Sequence, residues 1–299
     1  LASSSQTSLF LNGQLFASQA MAIEDIRQLG VILALAQTPE TLLVVGGSFN
    51  GLLQATKTFA PMLPKNIVFI QEDISLHRAE IASLHLPTNP IITIVHQDIQ
   101  QHLQATRNIS NTWLWIRGGD PYSLAGNRSL TAEFLRTTLI NLPNGGIALG
   151  LGDATDYLSQ AQAIYHARII NGATPSNNCL LWSVVPLGQY LHLLEIAPSG
   201  PRLQVRQLDP ANLYNSLQLL PNHPNHLSLP YLQERLHSTR LAPLIKAVTS
   251  FNGTLNTINR PLSTLEATTL WARHMYAGQH NITTLVNGGA PWWIPPLVA

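Results

Sequence analysis

Thr41-Leu42-Leu43-Val44-Val45-Gly46-Gly47-Ser48-Phe49-Asn50-Gly51 decides how the rest of this chain is read. The first five residues are β-branched or Leu without polar alternation, as in a strand buried on both faces. Two glycines break the strand, and residues 50–60 return to helical spacing. A strand that runs through a glycine turn into a helix is the opening unit of a parallel α/β sheet.

The same alternation continues outward from that unit. Strands are expected at 66–71, 90–96, 111–116 and 147–151, with helices at 75–85, 98–106, 129–141 and 155–169. The helix at 129–141 is expected to open on Ser129, and Asp153 and Asp156 are expected to cap the last regular helix. Upstream, residues 8–16 read as a hairpin around Asn12-Gly13. Apolar positions at 23, 26, 29, 32, 33 and 36 read as a helix that Pro39 stops. Downstream, 180–185 and 189–196 read as an antiparallel pair at the sheet edge. Short helices are expected at 211–219, 230–238 and 264–276. In such sheets ligands sit beyond the carboxyl ends of the strands, which gathers Gly46–Gly51, Gln71–Asp73, His96–Asp98 and Arg117–Pro121 around one crevice.

Composition narrows the function classes. Of 299 residues, 45% are hydrophobic and only 10% charged, against about 25% charged in ordinary domains. A surface so poor in charge suits a chain that lives against a protein partner or another copy of itself. The net charge of +1, without a basic run, gives no nucleic-acid footprint. The single Cys179 excludes an internal disulfide and cysteine-based metal sites. No apolar run reaches the length of a membrane span. The chain opens on Leu1 rather than Met, as expected of a processed chain or of a fragment lacking an anchor. Pro291-Trp292-Trp293-Ile294 suits packing onto the body or a partner. The sequence does not specify a compartment; it suits a soluble domain, alone or beside a membrane-associated partner.

Several words match a known family in order and spacing. They are Leu11-Asn12-Gly13-Gln14-Leu15, Gly46-Gly47-Ser48-Phe49-Asn50-Gly51, Gln71-Glu72-Asp73, Asp98, and Gly119-Asp120-Pro121 with Ser129, Thr131, Glu133 and Phe134. Over about residues 9–170 the chain resembles the spermidine synthase (aminopropyltransferase) family. It is most similar to the bacterial branch fused to a membrane-spanning segment. Asn256-Thr257-Ile258-Asn259-Arg260-Pro261 is similar to a late motif of that branch. The resemblance implies a Rossmann-like class I methyltransferase fold at 39–200. A hairpin and helix at 1–38 would precede it, and an irregular, partly helical extension at 201–299 would follow.

The resemblance also implies a cofactor site at Gly46, Gly47, Ser48, Gln71, Asp73 and Asp98. That site would take S-adenosylmethionine or its decarboxylated form if the pocket is open. The family's loop Asp, however, falls on Phe49 and its third glycine on Ser48. Its ribose-binding acid falls on Gln71. On the amine side the hairpin Gln falls on Phe16, an Asp-Glu pair on Met21-Ala22, and a Tyr-His pair on Asp25-Ile26. The catalytic Asp falls on Arg117, which is no base at neutral pH and repels a diammonium substrate.

Each retained residue also has a plainer explanation. Asp120-Pro121 makes a good turn, and Arg117 suits an ion pair with Asp120 or Asp98. Ser48 lies one residue off a nucleophile elbow, for which Asp120, Asp153 and His166 would be the partners; a loop serine is the simpler reading. His223 and His226 lack a third metal ligand, so no metal is expected. The expected function is a spermidine-synthase-like protein that has lost aminopropyl transfer, has no cofactor and serves as a binding or structural subunit. The alternative is an adenosyl-nucleoside-dependent transferase with an altered acceptor, a polyamine or an acidic small molecule drawn to Arg117.

Overall fold

The computed structural model describes residues 7–266 and 268, except 12–13, 19–21, 37–38, 106–110, 118–126, 143, 155, 198 and 221–226. The expected Asn12-Gly13 turn, Asp120-Pro121, His223, His226 and the Trp292-Trp293 tail lie outside the described residues. β1 (Ser8–Leu11) and β2 (Gln14–Ser18) pair antiparallel as a separate two-stranded sheet.

The body is an eight-stranded sheet. Its parallel part comprises β3 (Thr41–Val45), β4 (Asn66–Ile70), β5 (Ile92–Val95), β6 (Thr112–Ile116) and β7 (Gly146–Asp153). Helices α1 (Ile23–Leu35), α2 (Phe49–Thr58), α3 (Ile74–Leu84), α4 (Ile99–Ala105), α5 (Ala132–Asn141) and α6 (Gln160–Ala173) alternate with them. The remaining strands are β8 (Cys179–Pro186), β9 (Gln189–Ala197) and β10 (Leu203–Val205), and the spatial order is β10-β8-β9-β7-β6-β3-β4-β5. From β3 the chain runs outward through β4 and β5, then returns to β6 on the other side. The switch point, where such sheets open a crevice, therefore lies between the ends of β3 and β6. Every residue of β6 is buried, as its unalternated Thr-Trp-Leu-Trp-Ile text requires.

Several elements depart from expectation. The antiparallel pair at 180–196 forms, but it is not the edge of the sheet. β9 inserts between β7 and β8, and β10 adds outside β8 in parallel. The sheet thus continues past residue 200. The helix expected from Ser129 starts at Ala132. Thr131 is extended and accepts the Phe134 N–H, while Ser129 lies in a 3-10 turn, Arg128–Leu130. Asp153 and Asp156 do not cap α6. Ser159 and Gln162 form a reciprocal capping box there, which satisfies two helix N–H groups at once.

Downstream lie α7 (Pro210–Gln218), α8 (Leu229–Arg235) and α9 (Ser238–Thr249). α9 was not among the expected helices, and Pro243 stands inside it. Leu241, Leu244 and Val248 are buried at helical spacing as α9 packs on α6, and that burial outweighs the lost backbone bond.

Candidate functional site

At the end of β3 the backbone turns through Gly46 and Gly47, both at positive φ. A Cβ on Gly46 would stand 2.5 Å from the Arg117 carbonyl oxygen, and one on Gly47 would stand 2.9 Å from its guanidinium carbon. The glycines are needed to let β6 close against the loop. Ser48 caps α2, its Oγ accepting the Gly51 N–H at 2.9 Å. The free N–H groups of a helix N-terminus attract anions, and here an anion from the chain itself meets them. Glu80 of α3 is fully buried and accepts from Phe49 N at 3.0 Å and Asn50 N at 2.9 Å. Burial raises its pKa, and the two N–H groups and Arg117 work against that rise. The Phe49 ring points into the interior, with its centroid 5.4 Å from Phe69 and 5.0 Å from His77. His77 is held toward its neutral form, first by burial and then by the neighbouring His96.

Arg117 follows β6 and is also buried. It bonds Asp25 of α1 through Nε at 2.9 Å and Nη2 at 2.6 Å, and Nη1 donates to the Ser48 carbonyl at 3.0 Å. Its guanidinium lies 4.8 Å from the Trp115 ring centroid. Among the described residues Arg117 pairs with Asp25 and not with Asp98, whose partner is Arg128; Asp120 lies outside the described residues. Asp25 wins because α1 lays its first turn across the ends of β3 and β6. A Cβ on Gly51 would collide with Asp25, so that glycine is also part of the fit. Beside this pair a second network closes the same side. Glu24 accepts from the Gly188 N–H at 2.7 Å, the Gln189 N–H at 3.2 Å and Gln28 Nε2 at 2.9 Å. Gln28 in turn accepts from Trp115 Nε1 at 3.0 Å.

The remaining expected residues sit at the ends of β4 and β5, in local roles. The Gln71 side chain accepts weakly from Asp73 N at 3.4 Å. Asp73 caps α3 through Ser75 N and Leu76 N. Asp98 accepts from Gln100 N and Gln101 N at the start of α4 and pairs with Arg128 at 3.2 Å. The structure thus groups Gly46, Gly47, Ser48 and Arg117 tightly, and sets Gln71, Asp73 and Asp98 apart on the half-open side.

The late Asn256 is buried, donating to Asn127 Oδ1 and the Leu130 carbonyl at 2.9 Å each and accepting from Ser263 N. It ties the 3-10 turn before α5 to the C-terminal segment.

His166, the base a serine hydrolase would need, is engaged elsewhere. It is fully buried and bonds His192 at 2.9 Å, and Trp182 Nε1 donates to His192 Nδ1 at 3.0 Å. The indole N–H fixes the tautomers: His192 Nε2 carries a proton and donates it to His166 Nδ1. Burial lowers the His166 pKa to about 3 and that of His192 well below its ordinary value.

Sequence reasoning passed over Glu80, Glu24, Gln28 and the histidine pair. A signal for Glu80 was available: it shares the inner stripe of α3 with His77 and Leu84, where a charge is out of place. Among the described residues no group of three or more His, Cys, Asp and Glu side chains can hold a metal ion. No helix among them is long and apolar enough to cross a membrane.

No family model and no curated protein sequence matches the chain. Solved structures do match it. A spermidine synthase in complex with the transition-state analogue AdoDATO superposes with a TM-score of 0.53 at 14% identity, over 81% of this chain and 79% of that one. A probable spermidine synthase from Corynebacterium glutamicum gives 0.46 at 13% identity, over 78% and 86%. A methyltransferase from Geobacter sulfurreducens gives 0.35 at 15%, over 57% and 78%. The fold is the Rossmann-like one shared by spermidine synthases and class I methyltransferases.

Beyond the end of β3, the Phe49 ring is buried, the Arg117 guanidinium is paired with Asp25, and Glu80 is spent on the N-terminus of α2.

Proposed function

We propose that this chain is a spermidine-synthase-like protein that has lost aminopropyl transfer and acts as a binding or structural subunit. The observation that carries this reading is the buried Arg117–Asp25 pair at the switch point. In the resemblance, Arg117 stands in place of the catalytic base. A guanidinium held by two hydrogen bonds to a carboxylate cannot take a proton from an attacking amine. The Glu24–Gln28–Trp115 network supports the same reading, because it fills the amine side with interior hydrogen bonds. The low charge of the chain supports a protein partner or a second copy, with a membrane-associated subunit among the partners it suits.

Calorimetric titration with S-adenosylmethionine, its decarboxylated form and methylthioadenosine tests this. The expected result is no heat and no thermal stabilisation at millimolar ligand. Micromolar binding of any of the three overturns the reading in favour of a transferase with a changed acceptor, held through Gln71 and Asp98.

A further inference from the structure

At the far edge of the sheet from the crevice, α9 and the β8–β10 edge enclose a cavity of about 430 Å³. Its walls are aliphatic on both sides, with Val205 and Leu208 from the strand edge facing Leu236, Leu241 and Ile245 from the helices. The polar lining is concentrated in a few groups. Arg206 lines the cavity but is already paired with Glu195. Lys246 stands exposed on the last turns of α9 and makes no ion pair among the described residues. Volume in the range of small-molecule sites, apolar walls and, among the described residues, one unpaired cation in the lining define an amphipathic anion rather than a nucleotide or a sugar. A nucleotide or sugar would need several buried hydrogen-bonding partners, and the other polar residues of the lining, Gln207, Ser238 and Thr249, are exposed.

We propose that this cavity binds a small amphipathic carboxylate, its chain along the aliphatic walls and its head at Lys246. The site is separate from the crevice, so its fate is independent of the function proposed above.

Titration of the full chain with decanoate below its micellar range tests it, with decanol as the uncharged counterpart. Saturable one-to-one binding of decanoate is expected, about tenfold tighter than decanol. Lys246→Gln, at an exposed position, is expected to remove that tenfold preference while leaving the thermal melt unchanged. Ala242→Trp, which projects bulk into the cavity, is expected to weaken both ligands at least tenfold. Equal binding of decanoate and decanol overturns the proposal, as does a preference that survives Lys246→Gln. So does the absence of binding at millimolar decanoate, the result expected if another part of the chain or an apolar protein segment is the true occupant.

Discussion

The two halves of the crevice meet at one switch point but are wired over different distances. On the β4–β5 side, Asp73 and Asp98 bond backbone N–H groups two and three residues ahead, each capping the helix that follows its strand. On the β3–β6 side, bonds cross the chain. Arg117 reaches Ser48 and Asp25, 69 and 92 residues away, and Glu24 holds Gly188 and Gln189, 164 and 165 residues away. A local cap can be released without disturbing the sheet. A buried long-range network cannot, because each group freed from it becomes an unpaired charge or donor in the interior. The difference teaches where the crevice is free to change: the first half is a surface, and the second is core.

The largest expected effect lies in the wired half. Asp25→Ala leaves the Arg117 cation buried, with a side chain only 3% exposed. It should cost about 3 kcal/mol or more in denaturant unfolding. Pairing Asp25→Leu with Arg117→Met should restore most of that loss, since two apolar groups need no partners. A single-variant loss below about 1 kcal/mol, within reach of a surface pair, would erase the contrast between the halves.

The next effect is in pH. The folded chain refuses protons at His166 and His192, whereas the unfolded chain accepts them near the ordinary value of 6.5. Stability is therefore complete above about pH 6.5 and falls as pH drops toward 3, by up to about 1.4 kcal/mol per pH unit for each histidine. Glu80 acts with the opposite sign. Its raised pKa means the folded state takes up a proton first as pH falls, so it offsets part of the loss. His166 alone contributes a loss of about 2 kcal/mol between pH 7 and 5. Thermal melts across that range check it, and a flat profile would mean that the histidine pair accepts a proton without opening.

The smallest effects belong to the capped half. Asp98→Ala should cost about 1 kcal/mol, the ordinary worth of a helix cap, with little added by the partly exposed Arg128 pair. A loss as large as that of Asp25→Ala would show that the two halves are equally embedded.

Legibility in the sequence follows the same division. The alternation of apolar runs and helical spacing placed β3 to β7 and α1 to α4 within a few residues, because strand burial and helix amphipathicity are written in consecutive positions. Helix starts were less readable. Thr131 and Ser159 won over Ser129, Asp153 and Asp156, since several residues able to cap stand close together and only the backbone conformation selects among them. An ion pair was foreseen for Arg117 but given to Asp98 or Asp120, whose strand ends are near in the expected topology. Nothing in the spacing of Asp25 and Arg117 says that α1 crosses the switch point.

By itself the sequence determined the layered parallel architecture and the glycine turn after the first sheet strand, both properties of residue type and period. Only the tertiary structure decided that Glu80 occupies the N-terminus of α2, that Asp25 neutralises Arg117, that β9 lies inside the sheet and that Pro243 sits within a helix. Each of these depends on groups far apart in the chain being buried together. In that setting an unpaired charge or donor costs more than any local preference can offset.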